Sequence, residues 1–333
     1  EVVCIDNRLG ELGEILQEQG IKVHLLNRQP GFDISLIKQL HQLIKTEHYD
    51  VIHCHQYSPY VYGLLASLLT SAKVIFTEHG RFYPDYGTMK RQLLNPIFSL
   101  FTYKITAISQ ATKDALVKFE NFKASGISVI YNGIRDFSGV EVDKNTLKSH
   151  FSIPEGVFIF GTISRLQPIK NQAMMIRAFA VVHSEYGNTH LLIVGDGESR
   201  ASLEQLGKEL KLEHHITFTG FQKDPYQFHK VIDIFLLTSF SEGTSMTLLE
   251  AMSFSTPCIV TGVGGNPEIV INGKTGVVVP SNDVGRLSEA IKGLLTDEVI
   301  RNAFRKAGND RFIEIFTADH MITRYQNIYI GKQ

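Results

Sequence analysis

The sequence predicts an α/β protein built from two Rossmann-like, parallel-sheet domains. Three observations carry this. The chain has 333 residues, room for two ordinary domains that each bury their own core. Within each half, short apolar runs alternate with helical periodicity, the pattern of parallel strands joined by right-handed crossovers. A polar stretch over 136–156, broken by Gly139, Pro154 and Gly156, separates the halves as a linker.

In the first half the strand-like runs are 2–5, 21–26, 51–55, 74–77, 105–108 and 129–131, with helical spacing over 34–44 and 59–69. At the end of the third run, the period of two puts His53 and His55 on one face. A metal would need these two and His79, but no Asp or Cys is suitably spaced to complete the set, and no metal is expected. Thr77-Glu78-His79-Gly80-Arg81 ends the next strand in a loop. The basic amphipathic stretch 89–104 fits either a packed helix with a solvated edge or an anionic membrane surface. Ser109 fits the N-cap of a helix through Phe119, and Asn132-Gly133 closes the half with a tight turn.

Composition narrows the function. With 33 Lys+Arg against 34 Asp+Glu there is no global basic field, and no nucleic-acid partner is expected. Cys4, Cys54 and Cys258 are scattered through apolar runs and read as buried, reduced thiols of a cytoplasmic protein. No apolar run reaches membrane-spanning length, and no signal-peptide pattern is visible.

In the second half the runs are 158–163, 191–194, 216–218, 234–237, 258–260 and 277–279. The stretch 239–257 organises it: a buried strand over 233–238, a break at Ser241-Glu242-Gly243, then a helix capped by Thr244 or Ser245. Glu242 sits at the strand's C-terminal end. Glu250 lies in the helix among Leu248, Leu249 and Met252, where a carboxylate is costly unless hydrogen-bonded. Between them the N–H groups of Gly243, Thr244, Ser245 and Met246 form an anion cradle. On local physics alone the same stretch is equally an ordinary capped helix with a solvated Glu242. Arg165 and Lys170 follow an earlier strand, and a departing diphosphate needs about two such charges. Gly195-Asp196-Gly197 fails G-x-G-x-x-G and gives no support for NAD. At Gly262-Val263-Gly264-Gly265, glycines would let a ligand approach the backbone, though a plain turn fits as well.

Glu242 and Glu250, with seven residues between them and followed by Ala251-Met252 and a strand led by Pro257, resemble the E-x7-E element of family-4 retaining glycosyltransferases. The likeness covers nearly the whole chain, and it implies a GT-B fold with two domains facing across a cleft. It implies an acceptor-side domain over 1–135, the linker 136–156, a nucleotide-sugar domain over 157–316 and a helix over 317–333 returning to the first domain. The site implied is His79 near the reacting sugar, Glu242 on the sugar hydroxyls and Glu250 on the ribose. Arg165, Lys170 and the amides of 243–246 would hold the diphosphate, with Gly195 in the donor-binding set. The reaction implied is retaining and metal-independent, and no D-x-D occurs in the chain. No cofactor is implied beyond a UDP-sugar or GDP-sugar donor, and the acceptor would be a glycan or lipid-linked. Location would be cytoplasmic at the inner membrane face, with peripheral membrane contact. The sequence departs from the family in two places. Arg135 stands where an acid is usual, so no function is carried onto it. The usual opening strand and glycine turn are absent, so an unpaired edge is expected beside 2–5 and 51–55. A sugar-nucleotide epimerase and a non-catalytic nucleotide-sugar binder are the alternatives.

Overall fold

The computed structural model describes residues 1–6, 8–80 and 85–332. Among these, one unit comprises 1–80, 85–108 and 113–129, and the other comprises 109–112 and 130–332.

The first unit contains β1 (Val2–Cys4), β2 (Val23–Leu25), β3 (Val51–His55), β4 (Lys73–Glu78), β5 (Lys104–Ala107) and β6 (Ile127–Val129). β3 to β6 form one parallel sheet in chain order, while among the described residues β1 and β2 pair with each other alone. Glu1, Val3 and Ile5 on one side and Val51 to Cys54 on the other line a cavity of about 160 Å³ between the two sheets. Helix Ile34–Glu47 begins where the Asp33 carboxylate accepts from the Leu36 amide, and it buries Leu36, Leu40 and Ile44 along one face. Tyr60 stacks on Phe76 at 4.2 Å in the core of the larger sheet.

Helix Met89–Leu100 divides its apolar residues: Phe98 packs against the core, but much of the apolar stripe faces outward. Its one buried residue is Asn95, while Met89, Leu93 and Ile97 are 79%, 69% and 52% exposed. The reason is a buried polar network. Asn95 Nδ2 donates to Glu120 Oε2 at 3.0 Å, Arg91 Nη1 donates to Glu120 Oε1 at 2.9 Å, and Tyr57 donates to Asn95 Oδ1 at 2.7 Å. A buried carboxylate left without these donors would be far more costly than an exposed methyl group.

The second unit contains β7 (Phe158–Ile163), β8 (Thr189–Val194), β9 (Ile216–Phe218), β10 (Ile234–Leu237), β11 (Cys258–Thr261) and β12 (Val277–Val279). They form one parallel sheet in the order β12-β11-β10-β7-β8-β9. Along β10, Ile234 and Leu236 pack into one apolar cluster and Phe235 and Leu237 into another, so both faces are covered. Besides 109–112, the unit takes in the chain from Ile130 onward. The stretch read as a linker is built into it: Phe137 and Ile153 are buried with Phe235, and Asp143 caps helix Lys144–His150. Arg135 lies over the Phe137 and Tyr226 rings at 4.5 and 5.4 Å. The terminal helix, Ala318–Tyr329, starts against residues 130–134, where Ile134 N donates to Phe316 O and Ala318 N to Ile134 O.

Candidate active site

β7 and β10 pair directly, and between them the sheet's strand order reverses. Loops leaving adjacent strands at such a switch point are where open α/β sheets offer a crevice. The β7 loop passes through Arg165 into the turn Pro168–Lys170, and the β10 loop carries Glu242 into helix Met246–Ser253. The loops are tied together. Phe240 N donates to Ile169 O at 2.8 Å, and Thr238 Oγ1 donates to the Lys170 and Asn171 carbonyls at 3.1 and 3.0 Å. Lys170 Nζ consequently lies 2.6 Å from Glu242 Oε1, which also accepts from Ser239 Oγ at 2.6 Å. The Glu242 side chain is 8% exposed, so this pair is well shielded from water.

Ser245 caps the helix by accepting from Leu248 N at 3.4 Å. Among the described residues the N–H groups of Gly243, Ser245 and Met246 find no acceptor. Bare donors at the positive end of a helix suit an anion. Arg165 is exposed, and its guanidinium makes no ion pair or hydrogen bond among the described residues.

Two glycine loops support this arrangement by close backbone packing. Gly264 has φ +51°, and a Cβ there would sit 1.8 Å from the Glu242 carbonyl oxygen. Its neighbour Gly265 abuts Gly243 O, so the exit of β11 clamps the Glu242–Gly243 backbone. Gly195 has φ +130° and faces the Ser164 carbonyl, where a Cβ would come within 2.1 Å. Both glycines therefore make room for protein backbone, which sequence reasoning could not distinguish from room for a ligand.

Glu250 keeps 18% of its side chain exposed, yet its Oε2 is buried without a hydrogen bond. His229 Nε2 lies 3.5 Å away, and both nitrogens of that fully buried ring also lack partners among the described residues. Each such atom costs about 1–3 kcal/mol. Sequence reasoning missed His229, a lone histidine in a turn with no spacing signal.

In the first unit His79 follows β4, with Nε2 2.7 Å from His55 Nδ1. The His53 and His55 rings lie 4.1 Å apart, as the strand period requires, and His53 Nε2 reaches Thr77 Oγ1 at 2.7 Å. Burial pushes His53 down to about 3 and His79 down to about 4, with neighbouring histidine charge adding to it. Among the described residues no three His, Cys, Asp or Glu side chains converge to hold a metal ion. Arg81, the last residue of the motif, lies outside the described residues. Ser109 Oγ accepts from Thr112 N at 3.0 Å at the start of helix Gln110–Glu120.

Two parallel-sheet α/β units, the second with a cation–carboxylate pair and an open helix N-terminus at its switch point, give the GT-B fold class. The family described as Glycosyltransferase Family 4 matches residues 2–136, and that described as Glycosyl transferases group 1 matches 143–311. The chain belongs to the Glycosyl transferases group 1 family, whose match covers just over half of it. It is 26% identical to N-acetyl-alpha-D-glucosaminyl L-malate synthase of Bacillus anthracis over 96% of this chain and 91% of that protein. It is also 26% identical to an Escherichia coli UDP-Gal:alpha-D-GlcNAc-diphosphoundecaprenol alpha-1,3-galactosyltransferase, over 90% of this chain and 81% of that one. Among solved structures it resembles a glycosyltransferase from Rickettsia africae, with TM-score 0.88 and 21% identity over 99% of this chain and 89% of the other. Anabaena HepE in complex with UDP gives TM-score 0.88 and 21% identity, over 99% and 92%.

Proposed function

We propose that this glycosyltransferase moves a sugar from a UDP- or GDP-sugar to a glycan or lipid-linked acceptor, with retention of configuration and without a metal ion. The observation that carries the reading is the Lys170–Glu242 contact at 2.6 Å beside the open N–H groups of helix Met246–Ser253. A carboxylate for sugar hydroxyls thus adjoins cationic and N–H donors for phosphate oxygens, which is the chemistry on either side of a sugar–diphosphate bond. The phosphate oxygens take Lys170, Arg165 and the amides, while Glu242 accepts from the sugar and Glu250 from the ribose. The C1–O bond breaks with its electron pair leaving on the diphosphate. The acceptor hydroxyl attacks C1 on the same face, and its proton passes to the departing phosphate oxygen. His79, neutral at pH 7, hydrogen-bonds the reacting sugar.

UDP is the base to try first, because the Escherichia coli relative is named for UDP-Gal and the HepE structure for UDP. That relative's name also contains a diphosphoundecaprenol acceptor, which supports a lipid-linked substrate. The exposed stripe Met89, Leu93, Ile97 and Phe101, flanked by Lys90 and Lys104, supports peripheral contact with the inner membrane face. No helix among the described residues is long and apolar enough to cross a membrane.

The test is turnover of UDP- and GDP-sugars with a lipid-linked acceptor, followed by NMR of the product anomer. Retained configuration and activity surviving EDTA are expected. An inverted product, or full loss in EDTA with rescue by Mg²⁺ or Mn²⁺, overturns the mechanism.

A further inference from the structure

We propose that His229 is a positioning residue that fixes the Glu250 carboxylate from behind, so that its other oxygen selects a ribose over a deoxyribose. This rests on the ribose assignment made above. His229 sits in the 3-10 turn Pro225–Lys230, with its side chain fully buried, its ring 5.2 Å from Phe235 and 5.7 Å from Phe254. Among the described residues neither ring nitrogen has a hydrogen-bond partner. Glu250 Oε2 is in the same condition, and these two unsatisfied atoms face each other, Nε2 to Oε2, at 3.5 Å. A shift of roughly half an ångström would turn the approach into one hydrogen bond that satisfies both.

The tautomer follows from the surroundings. Burial holds the ring below its ordinary pKa, so it carries one proton. Placed on Nε2, that proton donates to Oε2; the apolar side then receives the bare Nδ1. The remaining exposure of Glu250 belongs to the part of the side chain other than Oε2, since Oε2 is buried. Oε1 is thereby left to accept from vicinal hydroxyls, in a plane set by the histidine. An unheld carboxylate would rotate and discriminate less.

The experiment compares calorimetric affinities of the full chain for UDP and GDP with those for dUDP and dGDP. Glu250→Gln tests the ribose assignment: it should lower the preference for the ribonucleotide, and an unchanged preference overturns both the assignment and the role of His229. His229→Phe keeps an aromatic ring but no N–H, and should cut the ribo-over-deoxy preference by about tenfold. His229→Gln, which can place an N–H near Nε2, should retain most of it. In the Glu250→Gln background, His229→Phe should change the preference no further. Equal weakening of ribo- and deoxynucleotides by His229→Phe would show a purely structural histidine and overturn the proposal while leaving the ribose assignment intact. If His229→Phe does not fold, nitrogen NMR of the unsubstituted protein decides. With saturating nucleotide the proton should be on Nε2 of His229, and a proton on Nδ1 overturns the proposal. Failure of both UDP and GDP to bind overturns this inference together with the reading it rests on.

Discussion

Lys170→Met separates the Glu242 contact that the structure shows from the diphosphate contact proposed for the same ammonium group. The group holds the Glu242 carboxylate at 2.6 Å, with side-chain exposures of 20% and 8%. Removing it leaves the acid with Ser239 Oγ as its remaining donor among the described residues. Breaking a fully buried pair costs about 3–5 kcal/mol, and a surface pair contributes about 0–1 kcal/mol. This pair lies between, so a loss of about 1–3 kcal/mol is expected, at about 2–4 °C of melting temperature per kcal/mol for a unit of this size. Adding Glu242→Gln removes the uncompensated charge and should recover part of that loss, giving a measurable coupling in a double-mutant cycle. Nucleotide affinity should behave differently. A charge-assisted contact to the diphosphate is worth about 1.5–3 kcal/mol, or roughly 10–150-fold in dissociation constant. That loss should persist in the double variant, because the neutral amide that replaces the carboxylate supplies no cation to phosphate. Melting curves and UDP or GDP calorimetry on the four proteins give both quantities. A double variant that regains stability and also binds nucleotide normally would show that Lys170 only neutralises Glu242.

Arg165→Ala should weaken nucleoside-diphosphate binding by a similar factor of roughly 10–150 with little change in melting, since its exposed guanidinium has no partner among the described residues; unchanged affinity would remove it from the diphosphate clamp. Gly264→Ala should destabilise the second unit by more than about 1 kcal/mol and weaken donor binding, because φ is +51° and the new methyl would meet the Glu242 carbonyl; wild-type melting and affinity would show that this contact is easily relieved. The first unit should lose stability as pH falls. His53 and His79 protonate at about 3 and about 4 in the folded chain but near 6.5 when unfolded, so between those values the unfolded state binds more protons. The stability present above about pH 6.5 falls by at most about 1.4 kcal/mol per pH unit per histidine. Denaturant titrations at about pH 7.5 and about pH 5.5, on either side of the unfolded histidine value, measure it, and stability that is flat or rises on acidification contradicts the burial argument.

Local pattern was enough to find most strands, because each is a short apolar run whose neighbours along the chain differ in period; β6, at Ile127–Val129, lies two residues before the run read at 129–131, and pattern did not show that β1 and β2 form a separate sheet. It also narrowed the helix start to Thr244 or Ser245, and the structure makes Ser245 the cap, its hydroxyl serving the chain segment beside it. Such features depend on residues a few positions apart. What required the tertiary structure joins residues that are distant along the chain. Lys170 meets Glu242 because β7 and β10 are neighbours across the switch point. His229 faces Glu250 because a turn and a helix flank the same strand, and nothing in a single buried histidine announces its partner. The glycine exits carried an ambiguity that only packing removed: the absent Cβ of Gly264 makes room for the Glu242 carbonyl. Helix Met89–Leu100 shows the same limit from the other side. Its amphipathic pattern marked two faces, but the buried Glu120 carboxylate decided that the face bearing Asn95 turns inward. Periodicity along a chain records which residues share a face; which face is covered depends on the charges and carbonyls that other segments bring to it.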